Sequence, residues 1–315
     1  MTTPGEKSDL VVVIGASALD VVGRLQSDLQ MGTSNPALIR TSFGGVARNV
    51  AENLARLGQP VSLLSVIGKD RLGDDVLAHT RNADVDVSEV FATDNYPTGF
   101  YMGVLNEHGS RQFAFDDMRI MEELTAAYLV YNEDLFEKAG MIFVDANLPE
   151  KALKKTFSLA RKYKVPVCAD PASGTLAARL KPYLRHIKLV VPNCLEAGLI
   201  TGHPFQANNQ EAALDAARTL VNQGVEIAFV TLSEYGVCYA TSETNGHIPA
   251  IRTSVVDPTG AGDALSAAVI YALMNDIEID DAARLGVSAA SLALRYPGTV
   301  YPDLSLEKLY DELAI

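Results

Sequence analysis

Short β-branched apolar runs alternate along the chain with longer stretches of helical period. Asp9–Gly15 (DLVVVIG) predicts a buried strand and Val61–Gly68 a second. Met141–Asp145, Val165–Asp170, His186–Val191 and Glu226–Leu232 predict four more. Gly45–Leu57, Glu150–Lys164 and Asn209–Gln223 carry helical spacing between them, and Gly58 with Pro60 stops the first. This βαβ alternation predicts a mostly parallel sheet covered on both faces. One region breaks the rhythm: Gly99–Asn106, the turn Glu107–Ser110 and Arg111–Asp116 read as a hairpin, with Asp20–Gly23 and Leu38–Phe43 as short strands beside it. Such strands need long crossovers to join a parallel core, so they are expected in a small accessory sheet shaped like a lid. Beyond residue 259 the pattern is helical, over Gly260–Met274, Asp280–Arg295 and Ser305–Leu313.

Composition narrows the function. With 48% hydrophobic and 21% charged residues, the 315-residue chain has the make-up of an ordinary soluble protein. A net charge of −13 disfavours nucleic acid as a partner, although backbone amides and a metal ion can still draw a phosphate into one pocket. Cys168, Cys194 and Cys238 are dispersed and odd in number, so no disulfide framework is expected, and reduced thiols point to the cytoplasm. The opening MTTPGEKSDL lacks the pattern of a secretory leader, and the apolar stretches are too short to span a bilayer. Five scattered histidines without HExxH argue against zinc chemistry.

The most informative string is DPTGAGD, Asp257 to Asp263, expected to follow an apolar strand at Thr253–Val256 and to open a small-residue helix. Gly260, Ala261 and Gly262 let a ligand approach the backbone, and the first N–H groups of a helix attract a phosphoryl oxygen. Asp263 then lies in the first turn, placed to take a proton from an attacking hydroxyl. The positive helix end is expected to keep Asp263 ionised and weakly basic, which a loose phosphoryl-transfer transition state tolerates. The same string also reads as a plainly capped helix, with Asp257 or Thr259 as the cap. GAGDAL lacks the last glycine or alanine of a dinucleotide fingerprint, and Gly68-Lys69-Asp70 is not a Walker A loop.

A second constellation lies near the amino end. The first strand leads through GAS to Asp20, where a carboxylate can accept bonds from two neighbouring hydroxyls of a sugar. Gly44 and Gly45 precede a helix carrying Asn49 in its first turn, though a glycine pair there also serves as an ordinary turn. DPTGAGD resembles the DTGAGD signature of PfkB (ribokinase-like) kinases, and Gly44-Gly45 with Asn49 resembles that family's GG-x-x-x-N element. Two signatures at their proper ends support each other.

The resemblance implies one ribokinase-like α/β domain over residues 1–315. Its form would be a three-layer α/β/α fold with a mostly parallel central sheet and a β lid from segments near 20–43 and 97–118. It implies ATP with Mg2+ as phosphoryl donor, Asp263 as base, and Gly260, Ala261 and Gly262 as the anion hole. Asp20, Gly44, Gly45 and Asn49 would bind the acceptor. PNCLE at 192–196 resembles the family's P-N-x-x-E element, which makes Asn193 and Glu196 holders of Mg2+ and phosphate, largely through water; the same residues also read as a helix capping box. VTLSEYG at 230–236 resembles the family's hairpin beside the nucleotide, with Thr231, Ser233 in place of a frequent glycine, and Gly236 at the turn. The 289–298 segment is where the family packs adenine and binds a monovalent cation, with Asp257 as a ligand for K+.

The stretch from Ser34 through GGVARNVAENLARLG, with FDDM at 115–118, is similar to the pseudouridine-kinase branch, whose product is pseudouridine 5′-phosphate. Ribose, fructose and 2-keto-3-deoxygluconate kinases share the scaffold, and a non-catalytic sugar-binding regulator is the alternative of another class. Thr98, Tyr101 and Phe113 could cover the acceptor or simply pack the hairpin. The lid edges also suit pairing of two copies into a homodimer.

Overall fold

The computed structural model describes residues 8–203 and 209–314; residues 1–7, most of the segment read for a leader, lie outside them. Its strands are β1 (Val11–Ile14), β2 (Ala18–Leu25), β3 (Ala37–Gly44), β4 (Val61–Leu64), β5 (Val66–Gly68), β6 (Phe91–Thr93), β7 (Gly99–Leu105), β8 (Arg111–Asp117), β9 (Met141–Asp145), β10 (Val167–Asp170), β11 (Leu189–Val190), β12 (Ile227–Thr231), β13 (Val237–Ala240) and β14 (Asn245–Ile248). The helices are α1 (Val46–Arg56), α2 (Arg71–Asn82), α3 (Ala126–Tyr131), α4 (Glu133–Lys138), α5 (Glu150–Tyr163), α6 (Cys194–Thr201), α7 (Gln210–Asn222), α8 (Ala261–Met274), α9 (Ile279–Leu294) and α10 (Leu306–Leu313).

The main sheet has eight strands in the order β14-β13-β12-β11-β10-β9-β1-β4. The six from β12 to β4 are mutually parallel, and β13 and β14 close one end antiparallel. Every residue of β1 is buried, because both faces are covered. Val12 and Ile14 face a core built with α3 to α7, while Val11 and Val13 face α1, α8 and α9. A third apolar cluster ties α8, α9 and α10 together on the outside. From β1 the chain reaches β4 on one side and later β9 on the other. The strand order therefore reverses at β1, and ligands of open α/β sheets bind at the carboxyl edge beside such a point.

The small sheet runs β3-β2-β7-β8, with β2 parallel to β7 and antiparallel to β3. The hairpin stands as read, and β2 and β3 grow to eight residues each. Side chains alternate across this sheet. Asp20, Val22 and Arg24 lie on one face; Val21, Ile39, Met102, Phe113 and Phe115 lie on the other.

Three strand expectations fail. Val61–Gly68 breaks at Ser65, whose hydroxyl donates to the Gly15 carbonyl at 2.7 Å; beyond it β5 leaves the main sheet to pair with β6. Of His186–Val191 only Leu189–Val190 is strand, since a 3-10 helix over Ala177–His186 occupies the approach. Thr253–Val256 is not a strand: Val255 is exposed, and the Val256 amide bonds to the Leu294 carbonyl at 2.8 Å rather than to a ladder.

Candidate active site

Asp20 does not sit at the tip of β1, as the sequence suggests; it lies inside β2, paired with Ser42 and Tyr101. It is nevertheless at the carboxyl edge, because only Gly15, Ala16 and Ser17 separate the two strands. Strand β3 returns alongside and ends at Gly44, where any Cβ would collide with the Asp20 carboxylate. Glycine is required there to let the carboxylate lie flat against the backbone. Gly45 is the N-cap of α1, packed against the Ala16 carbonyl. Asn49, one turn along, is buried, and its Nδ2 donates to Asp263 Oδ2 at 2.7 Å.

Asp263 belongs to the first turn of α8. Gly260 caps this helix with φ +84°, and a side chain at Gly260 would strike the Thr299 carbonyl. The first intrahelical bond runs from Ala264 to the Gly260 carbonyl, so the amides of Ala261, Gly262 and Asp263 have no helical partner. Gly262 is exposed with open space around it. The Asn49–Asp263 bond brings the two halves of the proposed site, 214 residues apart in sequence, to one cleft.

The electrostatics correct one expectation. Burial pushes Asp263 up to about 7, with Asp145 adding to the rise, and this outweighs the Asn49 bond and the Arg48 charge that pull it down. Taking a carboxylate out of water costs more than the positive helix end returns, so Asp263 titrates near neutral pH rather than staying ionised as expected. Asp20 is likewise pushed to about 7 by burial; Arg48 lowers it, and Asp263 and Asp257 raise it.

Along the same edge, Asn193 and Glu196 form a capping box at the start of α6: the Asn193 amide donates to Glu196 Oε2 at 3.0 Å and the Glu196 amide to Asn193 Oδ1 at 2.9 Å. Thr231, at the end of β12, bridges to Asn193. The turn that follows holds Ser233 at φ +52°, where a glycine would sit without strain, and Gly236 at φ +95° against the Ile248 carbonyl. Asp257 is buried and accepts from the Thr259 amide at 2.9 Å, while its own amide donates to the Leu294 carbonyl. Thr98 does not face a ligand: its hydroxyl donates to Asp70, the N-cap of α2. Phe113 packs on Phe115 across the sheet face opposite Asp20.

Sequence reasoning missed four residues. Asp145, ending β9, accepts from the amides of Ala16, Ala47 and Asn147 at 2.9, 3.1 and 2.9 Å, and burial raises its pKa. Asp170, ending β10 directly beside it, is raised by burial and then by Asp263 and Glu196. Both were legible as carboxylates ending the strands IFVD and VCAD. Arg48 and Thr299 carried no such signal; both are buried, and the Arg48 guanidinium donates to the Thr299 hydroxyl at 3.3 Å. Glu196 is raised by burial, against its bonds with Asn193. Among the described residues none of Asp170, Glu196, Asp257 and Asp263 forms an ion pair with a basic side chain.

Comparison with known proteins decides the family. The sequence profile of the pfkB family of carbohydrate kinases matches residues 8–305. The chain belongs to that family. It is thus a phosphotransferase of the sugar and nucleoside kinase class. The pseudouridine kinase of Escherichia coli K12 is 32% identical over 301 residues, 95% of either chain. The uncharacterized sugar kinase YeiI of the same organism is 33% identical over 304 residues, 96% of this chain and 82% of that one. In fold, this pfkB-family chain superposes on Arabidopsis thaliana ribokinase, solved with ribose and ATP, with a TM-score of 0.80 at 22% identity over 98% of this chain and 100% of that one. The central parallel sheet with a smaller sheet beside it is therefore the ribokinase architecture.

Proposed function

We propose that this kinase transfers the γ-phosphoryl group of ATP to the 5′-hydroxyl of pseudouridine, giving pseudouridine 5′-phosphate. The observation that carries the reading is the Asn49–Asp263 bond, which sets the acceptor carboxylate Asp20 and the open helix end of α8 on one cleft. Asp20 accepts hydrogen bonds from two sugar hydroxyls, with Gly44 and Gly45 letting the ring approach the backbone. Asp263 takes the proton of the attacking hydroxyl. The oxygen attacks the γ-phosphorus in line, the bond to the β-phosphate oxygen breaks, and ADP leaves. The amides of Ala261, Gly262 and Asp263 face the charge that builds on the transferring group.

Asn193, Thr231, Ser233 and Gly236 would line the nucleotide, with the 289–298 segment beside the adenine. Asp170 is raised by burial and then by Asp263 and Glu196, and none of the three forms an ion pair among the described residues, which suits a divalent cation that Glu196 would hold. When bound, Mg2+ neutralises the triphosphate, keeping most of its positions for water and phosphate oxygens. Buried Asp257, without an ion pair among the described residues, would hold K+.

Two observations favour a nucleoside acceptor. One is the 32% identical pseudouridine kinase, matched over nearly its whole length. The other is a cavity of about 90 Å³ on the Asp20 face of the small sheet, lined by Val22, Arg24, Leu38, Arg40, Leu105, Val256 and Asp257. Its apolar walls suit a flat ring, and its arginines suit ring carbonyls. The small sheet would act as a lid over the one domain. Its opposite face exposes Ile39, Met102 and Phe115, and this face would pair two copies. No helix among the described residues is long and apolar enough to cross a membrane, in keeping with a cytoplasmic enzyme.

An ATP-consumption screen against pseudouridine, uridine, inosine, ribose, fructose and 2-keto-3-deoxygluconate tests the assignment. The highest kcat/KM is expected with pseudouridine. A higher value with ribose or fructose replaces the acceptor, and turnover with none of them overturns it.

A further inference from the structure

Arg48 is completely buried and has no substrate contact assigned to it, although it bonds to Gly44 and Asn49, which are read as acceptor residues. A guanidinium cannot shed its charge, so its place in the interior must be matched by acceptors. Five surround it. Nε donates to the Gly44 carbonyl at 2.9 Å, Nη1 to Glu52, and Nη2 to the Phe43 carbonyl at 2.7 Å, to Asn49 Oδ1 and to the Thr299 hydroxyl. Glu52 is itself buried. Burial works to raise its pKa, but bonds from His79, Arg48 and Arg56 hold it well below the usual carboxylate range, so the charge opposite Arg48 is permanent.

We propose that Arg48 is a positioning residue for phosphoryl transfer: its guanidinium fixes the Asn49 amide so that Nδ2 is aimed at Asp263, and holds the end of β3 against the start of α8. The inference rests on the reading of Asp263 as the base. The two ends of a carboxamide are nearly the same shape, and left alone Asn49 could turn its oxygen toward Asp263. That orientation sets two acceptors face to face whenever Asp263 is ionised. Arg48 has only donors, so it accepts one orientation of its neighbour, with Oδ1 toward the guanidinium. Nδ2 is then left to donate to Asp263.

The second half of the role lies in Thr299. Its hydroxyl donates to the Phe43 carbonyl, which Arg48 also holds, and its own carbonyl lies directly against Gly260. The guanidinium thus joins the strand end beside Asp20 to the segment on which the cap of α8 rests. The sequence offers Arg48 no ligand, and the geometry gives it partners at the end of β3, in α1 and at Thr299.

The test is a double-mutant cycle in kcat. Arg48→Gln is expected to lower kcat by between about tenfold and a hundredfold, with the KM for ATP unchanged, because a buried charge-assisted bond is lost. In an Asn49→Ala background the same substitution should cost kcat severalfold less than in the parent, since the amide it aims is gone and only the tie to Thr299 remains. Arg48→Lys, which keeps the charge but reaches fewer acceptors, should fall between Arg48→Gln and the parent; it carries the cycle if Arg48→Gln melts near the assay temperature. An unchanged kcat in both single variants, or an undiminished loss in the Asn49→Ala background, overturns the proposal. If Asp263→Asn turns over normally, the base assignment falls first; if Asp263→Asn is inactive while the Arg48 variants are unaffected, only the positioning role falls.

Discussion

The two sides of the cleft are built differently. On the side read as acceptor-binding Asp20 is 5% exposed, Asn49 3% and Arg48 0%, and Asn49 and Arg48 are held by hydrogen bonds before any ligand arrives. On the side read as nucleotide-binding, Asn193 and Ser233 are exposed, Leu195 is 68% exposed and Tyr235 54%, and the polar groups bond mainly within their own turns. A small, uncharged acceptor gains little binding energy from its own charge, so its recognition has to be prepared by fixed groups. A triphosphate brings charge and metal with it and can organise an open surface. The contrast predicts that damage to the buried side is severe and specific, while change on the open side is mild.

The largest effect is expected at the junction. Asp263→Asn should cut kcat by between about a hundredfold and ten-thousandfold while leaving acceptor affinity nearly intact, measured by steady-state kinetics and by calorimetric binding. Near-normal turnover would take Asp263 out of the base role. In the parent enzyme the base must be ionised, and burial lifts Asp263 to about 7. Log kcat/KM should therefore fall as pH drops through about 7 and level off above it. The sign for stability is opposite. A carboxyl whose folded pKa exceeds its ordinary value of about 4 holds its proton better when folded, so its contribution shrinks as pH rises from about 4 to about 7. Removing that charge in Asp263→Asn should raise Tm at pH 8 relative to the parent and leave it unchanged near pH 4.

A smaller loss is expected from Asp20→Ala, which deletes acceptor contacts but no chemistry. The acceptor KM should rise by between about tenfold and a hundredfold, with the KM for ATP constant. Equal changes in both constants would mean that the two sides are not separable. The smallest effect belongs to the open side. Ser233→Gly relieves a serine at φ +52° and should raise Tm by about 1–2 °C with kinetics unchanged. A marked change in the KM for ATP would show that this turn is tuned and not merely tolerated.

The sequence revealed the scaffold well wherever burial on two faces leaves an unbroken apolar run, as in β1, β9 and β12. It failed where a local bond interrupts such a run. Ser65 reads as one polar residue in a strand, yet its hydroxyl ends β4 by engaging Gly15 and Ser17. Thr253–Val256 reads as an apolar strand, but it has no ladder to join. Glycines and the early aspartate exposed the site, because close approach and a helix end demand particular residue types. Arg48 stayed hidden because an arginine in an amphipathic-looking helix ordinarily faces water; four of its five acceptors are local, but the one that ties it to the other half of the cleft, Thr299, lies 251 residues away, and no local pattern records that.

One carboxylate has a consequence for how the enzyme lives and fails. Asp145 gathers amides from Ala16 and Ala47, 129 and 98 residues distant along the chain, and it sits in the interior at the switch point of the sheet. This edge of the cleft cannot fray without stripping a buried carboxyl of its amide donors, nor form before those three segments have met. Amide hydrogens at Ala16 and Ala47 should exchange only when the whole molecule opens, which makes catalytic competence and global folding a single cooperative event.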